Sequence, residues 1–154
     1  TYDEELCRKI EPHVSTTRER FEVLMRCKEL GIPTLVWMTP ILPFINDTRE
    51  NIEGLLDYCL LAGVQGILVF DVGVTLREGD REYFYQALDR DFPGIRQKYI
   101  STYGNAYDIP SPYAKELMTL IQNTCTANGI LCSPKECFTY LHEFPERYVQ
   151  QTLF

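Results

Sequence analysis

The stretch Thr34–Asp47, TLVWMTPILPFIND, constrains this chain more than any other. Thr34–Met38 is nearly continuously apolar, with Val36 and Trp37 at its centre. That is the pattern of a strand covered on both faces, as in a parallel sheet. Pro40 and Pro43 lack the N–H that a strand must donate, so a rigid proline-rich loop follows the strand. Asn46, Asp47 and Thr48 then supply helix-cap side chains. Buried strand, apolar loop and capped helix make one unit of a parallel α/β protein. Ligands of such proteins sit beyond the carboxyl ends of the strands.

The flanking sequence repeats this rhythm. Asp3–Ile10 predicts a short helix, with acids in its first turn and Arg8 and Lys9 in its last, where the macrodipole favours them. Thr16 and Glu19 fit a capping box for a helix over Thr16–Leu30, with Phe21, Leu24, Met25 and Lys28 on one side. Gly31 and Pro33 stop it. The helix after Asp47 runs to about Leu61 with a core stripe of Ile52, Leu55, Leu56, Cys59 and Leu60, and Gly63 closes it. Gly66–Asp71, GILVFD, reads as a second buried strand ending in a carboxylate. By default, the strand–helix–strand order makes a right-handed βαβ unit.

Beyond Asp71 the pattern loosens. Val72–Gly79 reads as a loop, Asp80–Phe92 as a helix with Phe84, Ala87 and Leu88 inside, and Pro93–Tyr103 as another. Asn105–Pro110 reads as an irregular loop flanked by tyrosines. Ser111 caps a helix with Pro112 at its first position that runs to Asn128. Ile130–Cys132 reads as a short third strand and Pro134–Leu141 as a last helix. His142–Phe154 carries no clear period.

The totals bound the class. At 154 residues the chain suits one domain, or part of one, burying roughly 70% of its unfolded surface. No apolar run nears the ~20 residues of a membrane helix. With 22 acids against 15 Lys and Arg, the net charge of −7 argues against a phosphate-backbone footprint on this piece. The six cysteines form no CxxC and suit the reducing cytoplasm. Cys132 and Cys137 are the one near pair; a disulfide, a metal and coincidence are open there, with coincidence favoured. His13 reads as a loop residue facing solvent. The chain opens on Thr1, not Met, and reads as a processed product or a part of something longer.

Chemistry-bearing residues gather where the strands end: Thr39, Pro40, Ile41 and Pro43 after the first, and Asp71, Thr75 and Arg77 after the second. Taken singly, Pro40 and Pro43 shape a turn, Asp71 caps backbone, and Arg77 pairs with Glu78 or Asp80. Taken together on one rim, they are equally well read as a ligand site.

Four segments, LCRKIEPHVSTTRERFEVLMRCKELGIP, MTPILPFIND, GVTLREGDREYFYQALDRDFPG and KYISTYGNAYDIPSP, resemble the C-terminal half of a radical S-adenosylmethionine protein. The branch is the one related to spore photoproduct lyase and described as DNA-repair photolyase-like, and the resemblance covers nearly the whole chain. It implies a partial (β/α)6 barrel of TIM type, with Thr34–Met38 as fifth strand and Gly66–Asp71 as sixth. Residues 1–92 would be barrel and 93–154 a mainly helical C-terminal extension. By position, the resemblance assigns Met38, Thr39, Pro40, Ile41, Asp71, Val72 and Gly73 to the adenosyl part of S-adenosylmethionine. It places Thr75 and Arg77 on the substrate side. The family's CxxxCxxC loop, which binds a 4Fe–4S cluster through three thiolates, does not occur in these residues and would lie upstream of Thr1. The resemblance therefore implies that this piece is inactive alone and holds no metal. Its fifth strand would pair with the missing N-terminal half, pair with another copy, or be covered by an end segment.

The tail Gln150–Phe154 resembles the pentapeptide that binds the bacterial sliding clamp, of form Gln–Leu–x–Leu–Phe, with Gln150, Leu153 and Phe154 in place and Gln151 departing from it. Such a peptide binds extended, its apolar side chains filling a pocket. The competing reading docks Leu153 and Phe154 back on the domain. A non-catalytic α/β protein-interaction module is the alternative reading of the whole.

Overall fold

Helix ends fall where cap residues lie, in a computed structural model that describes residues 1–143. Asp3 accepts from Leu6 N and opens α1 (Glu4–Ile10). Thr16 and Glu19 form the reciprocal capping box of α2 (Thr17–Glu29), with Glu19 Oε2 2.7 Å from Thr16 N. Thr48, rather than Asp47, opens α3 (Arg49–Ala62), and Gly63 closes it with φ 65°. Four more helices follow: α4 (Asp80–Asp91), α5 (Ile95–Tyr103), α6 (Ala114–Asn128) and α7 (Pro134–His142).

Between the helices lie two small sheets, so the described chain is mixed α/β and mostly helical. In the first, β1 (Leu35–Trp37) pairs in parallel with β2 (Gly66–Leu68), Val36 opposite Ile67, and α3 is the crossover. Leu131 adds a parallel bridge to Gly66 from the far side of β2. In the second, β3 (Gly73–Thr75) pairs antiparallel with β4 (Asp108–Pro110).

The structure corrects the sequence reading at several points. The segments expected as loops, 72–79 and 105–110, hold β3 and β4, because an antiparallel pair 35 residues apart leaves no local pattern. The third strand shrinks to the single bridge at Leu131. Pro112 lies outside α6, whose N-cap is Tyr113. Lys28 leaves the apolar side of its helix and donates to Leu61 O at 2.6 Å. β1 is not covered on both faces: Trp37 stays 57% exposed and tilts against Phe70, 58% exposed, at 5.6 Å between ring centroids. The tail residues Gln150, Leu153 and Phe154 lie outside the described residues.

Two apolar clusters organise the interior. Ile52, Leu56 and Cys59 of α3 meet Ile67, Val69, Leu117, Ile121 and Cys125, tying α3 and α6 to the parallel pair. Half-buried Phe21, Leu24 and Met25 of α2 lie against this cluster, yet α2 has no fully buried residue. The second cluster surrounds Tyr99, fully buried among Phe44, Phe84 and Tyr103, with Leu76, Leu88 and Ile109 around them. Among the described residues, no helix is long and apolar enough to cross a membrane.

Candidate functional site

The proline loop after β1 is a built structure. Ile41, Leu42 and Pro43 are buried, and so are the polar Asn46 and Asp47. Buried polar groups need partners, and each of these has one. Asn46 Oδ1 accepts from Leu42 N, and Asn46 O accepts from Asn51 Nδ2 at 2.7 Å. Asn51 Oδ1 in turn accepts from Tyr2 N at 2.6 Å and Thr1 Oγ1 at 2.9 Å, which ties the N-terminus to the same loop. Tyr99 donates its hydroxyl to Pro43 O at 2.8 Å.

Ser111 joins this loop to the one after β2. Its N–H donates to Val72 O at 2.8 Å, and its hydroxyl donates to Asp47 Oδ2 at 2.5 Å. Burial pushes the Asp47 carboxyl above its ordinary range, and the Ser111 hydroxyl pulls it partly back. The two strand-end loops are thus held by one serine contributed from between β4 and α6. Ser111 is not the helix cap its position suggested: the N-cap of α6 is Tyr113, without a side-chain cap bond, and the Ser111 hydroxyl accepts from the N–H of Tyr113 at 3.0 Å. Its contact with Asp47 spans 64 positions and has no local signature.

Beside the first loop runs a groove of about 470 Å³, within the roughly 300–1,000 Å³ of small-molecule sites. Its walls are largely apolar: Phe21 and Leu24 of α2, Tyr58 of α3, Phe84 and Phe92 near α4, and the edge of β1. Lys9, Arg20 and Arg90 and the acids Glu11 and Asp91 stand among its lining residues.

The structure sorts the residues assigned from sequence into three groups. Met38, Thr39, Pro40 and Ile41 line the groove, Thr39 and Pro40 exposed, Met38 and Ile41 with side chains in the core. β2 stops at Leu68, short of the expected Asp71, so Asp71 and Val72 lie between β2 and β3 and Gly73 opens β3, all outside the groove's lining. Asp71 Oδ1 accepts from Val72 N at 2.7 Å, and Val72 is fully buried. Gly73 is set by packing, since a Cβ there would stand 2.5 Å from Ile109 O. Thr75 and Arg77 form the third group and share Tyr107. Arg77 Nε donates to the Tyr107 hydroxyl at 3.4 Å, and the bonds from Arg77 and then Thr75 lower the Tyr107 pKa. Arg77 therefore turns to Tyr107, not to an ion pair with Glu78 or Asp80, and Tyr107 joins the substrate-side candidates.

The cysteines gather in a way their spacing did not show. All six are free thiols. Cys125, on α6, and Cys132 act on each other's thiols: the neighbouring S–H of Cys125 lowers the Cys132 pKa to about 7, while that of Cys125 rises. Burial pushes Cys59 up to about 12. Cys132 therefore finds its partner in Cys125 and not in Cys137, whose thiol donates to Leu131 O at 3.7 Å.

No family model matches the sequence, and no solved structure matches it. Proteins that are themselves uncharacterized, from Mycobacterium tuberculosis and Mycobacterium bovis, are 30% identical to it over 115 residues, 75% of this chain. The match covers 33% of each relative, so the chain spans only about a third of the length of the curated relatives it matches.

Proposed function

We propose that the chain is the cofactor-site portion of a cytoplasmic radical S-adenosylmethionine protein, residues 1–92 belonging to its (β/α)6 barrel and 93–154 to a helical extension. One observation carries this reading. The parallel β1–α3–β2 unit ends in two loops clamped together by Ser111, and the first of them, at Met38–Ile41, forms the wall of a groove. Strand ends of a parallel sheet are where such proteins place ligands.

The donor set suits an adenosyl group. The groove has the volume for it, its walls are apolar and aromatic, and exposed Thr39 is among its lining residues. Among the described residues, no three His, Cys, Asp or Glu side chains are placed to hold a metal ion. A 4Fe–4S cluster would be held by cysteines of the N-terminal half. When bound, the two cofactors supply reductive cleavage of S-adenosylmethionine and a 5′-deoxyadenosyl radical that abstracts hydrogen from substrate. This chain's own part is to bind and orient. Met38–Ile41 present the first loop, Asp71–Gly73 close the second, and Thr75, Arg77 and Tyr107 offer hydrogen-bond donors to substrate. The apolar walls exclude water, which protects a reactive intermediate.

The test is anaerobic reconstitution of the polypeptide with whatever sequence its gene encodes ahead of Thr1. A reduced-cluster electron paramagnetic resonance signal that changes with S-adenosylmethionine, with 5′-deoxyadenosine as product, is expected. A gene without a CxxxCxxC, or a product with no S-adenosylmethionine heat in titration calorimetry, sinks the reading. The second reading, a non-catalytic interaction module, draws on the exposed Trp37–Phe70 pair and would survive both of those outcomes.

A further inference from the structure

The turn that leaves α6 brings two cysteines together. Gly129, with φ 67°, closes the helix in the left-handed conformation, and Ile130 N donates back to Cys125 O at 2.9 Å. The chain then runs beside β2, where Leu131 N donates to Gln65 O at 3.0 Å and Leu131 O accepts from Ile67 N at 2.8 Å. Both ends of the turn are thereby fixed. Cys132 packs back against the apolar cluster that holds Cys125 and Cys59, and the thiols of Cys125 and Cys132 act on each other. Cys137, on α7, is as deeply buried as Cys125, but its thiol is engaged with Leu131 O.

The pair is asymmetric in the way that thiol oxidation needs. Cys132 is half-buried and so reachable from solvent, whereas Cys125 is fully buried. Cys132 immediately precedes Ser133, the N-cap of α7, and the positive end of a helix favours a thiolate. The Cys125 thiol beside it lowers its pKa to about 7, against burial and the Glu136 carboxylate. Redox-responsive cysteines are accessible, hold a lowered pKa and stand next to a second thiol that resolves the first oxidation product.

We propose that Cys125 and Cys132 form an oxidant-responsive dithiol, which hydrogen peroxide converts into a disulfide across the end of α6. First, the Cys132 thiolate sulfur attacks one peroxide oxygen. The O–O bond breaks, an S–O bond forms, and the departing hydroxide takes up a proton and leaves as water. The Cys125 sulfur then attacks the Cys132 sulfur as its own proton is lost. The S–S bond forms, the S–O bond breaks, and hydroxide departs with that proton as a second water. The two thiols together lose two electrons, and the peroxide is reduced to water. A dithiol reductant reverses the change by exchange. Neither cysteine lines the groove beside β1, so the dithiol stands apart from the radical-enzyme reading.

Peptide mapping of the reduced 154-residue chain after equimolar hydrogen peroxide at pH 7 tests this. Trypsin cuts after Lys115 and Lys135, so Cys125 and Cys132 share one peptide and Cys137 falls in the next. The peptide of residues 116–135 is expected to become lighter by two hydrogens, and the free thiols to fall from six to four. Dithiothreitol should restore all six. Cys132→Ser removes the attacking thiolate and should slow thiol loss by roughly tenfold or more. Cys125→Ser should halt the reaction at a sulfenic acid on Cys132, which dimedone traps. Because Cys125 is wholly buried, that variant is read only where its near-ultraviolet circular dichroism matches the parent; the map of the unsubstituted chain decides on its own. A link from Cys132 to Cys59, to Cys137 or to a second chain overturns the inference, and so does sulfinic acid at Cys132 without a link. A Cys125–Cys132 link that forms equally fast in urea also overturns it, since the folded turn would then contribute nothing.

Discussion

Ser111 Oγ stands 2.5 Å from Asp47 Oδ2, both residues buried, and the pair joins the loop after β1 to the start of the last long helix. Replacing Ser111 with Ala leaves a buried carboxylate oxygen without its donor and removes the acceptor for Tyr113 N. The expected loss is ~1–3 kcal/mol in urea unfolding at pH 7. A variant as stable as the parent would show that the contact is not formed in solution.

Asp47 also sets a pH dependence. Its folded pKa is raised above 3.8, mainly by burial, so the folded state binds this proton more tightly than the unfolded state. The stability this contributes is complete below the unfolded pKa and is lost as pH rises through the folded value. Asp47→Asn carries no such proton, so its stability relative to the parent should improve steadily from pH 3.8 through the raised value and level off above it. Urea midpoints for both proteins across that window check the sign. A difference that ran the other way would mean that Ser111 outweighs burial.

Gly73 separates packing from function at the second strand end. Its Cβ would meet Ile109 O at 2.5 Å and Pro110 Cα at 2.9 Å, both backbone atoms that cannot rotate aside. Gly73→Ala should therefore cost about 1–3 kcal/mol by overpacking and open the bond from Leu76 N to Tyr107 O beyond the end of β3. Gly79→Ala is the counterpart without crowding: nothing lies within 4 Å of its added carbon, but φ is 88°, so any loss there reports left-handed backbone strain and not overpacking. If Gly73→Ala folds with unchanged stability yet loses cofactor binding in the longer protein, the residue serves the ligand and not the sheet.

What the sequence disclosed follows from how local each feature is. The capping box at Thr16 and Glu19, the left-handed stops at Gly63 and Gly129, and the apolar stripe of α3 are written within a few residues of each other, and each was readable. The parallel pair was readable because two apolar runs flank one helix. The β3–β4 pair was not: its strands are three residues each, one beginning with Gly73 and the other ending in Pro110, residues that ordinarily mark loops. Asn46 and Asp47 were read as caps because their side chains suit caps. A bond within the loop turned Asn46 back to Leu42 and a long-range one turned Asp47 inward to Ser111 instead, leaving Thr48 to open the helix. The exposed face of β1 was hidden for a related reason, since an apolar run does not say whether a covering layer is present in the same chain.

Cys132 should be the first thiol alkylated. Held down to about 7 by the S–H of Cys125, it is substantially thiolate near neutral pH, whereas burial keeps Cys59 protonated. Iodoacetamide labelling followed by mass spectrometry should show a midpoint near pH 7 for Cys132. Cys125→Ala removes the donor and should move that midpoint up toward 9.0, slowing labelling at pH 7 by roughly tenfold. Cys125→Ser keeps a donor and should hold the midpoint low. A Cys132 midpoint that ignores residue 125 would show that the two thiols do not meet.

Phe44 carries the backbone strain of the proline loop. Its φ of 63° lies in the left-handed region, which costs a non-glycine residue about 1–2 kcal/mol. The ring repays this by packing edge-on to Tyr99 at 5.7 Å and beside Tyr103 at 6.0 Å, with Lys98 Nζ 4.1 Å above its face. Phe44→Ala keeps the strained backbone and loses every ring contact, so a loss of about 2–4 kcal/mol is expected, near the lower end for a core phenylalanine because the site is half-buried. Phe44→Gly loses the same contacts but relieves the strain. The glycine variant should therefore be as stable as the alanine variant or more so, reversing the usual order in which glycine is worse by ~0.5–1 kcal/mol. Thermal or urea unfolding of the two side by side decides it. Alanine the more stable by that usual margin would mean that the loop relaxes out of the left-handed conformation once the ring is gone, and that Phe44 holds the loop in place instead of merely tolerating its shape.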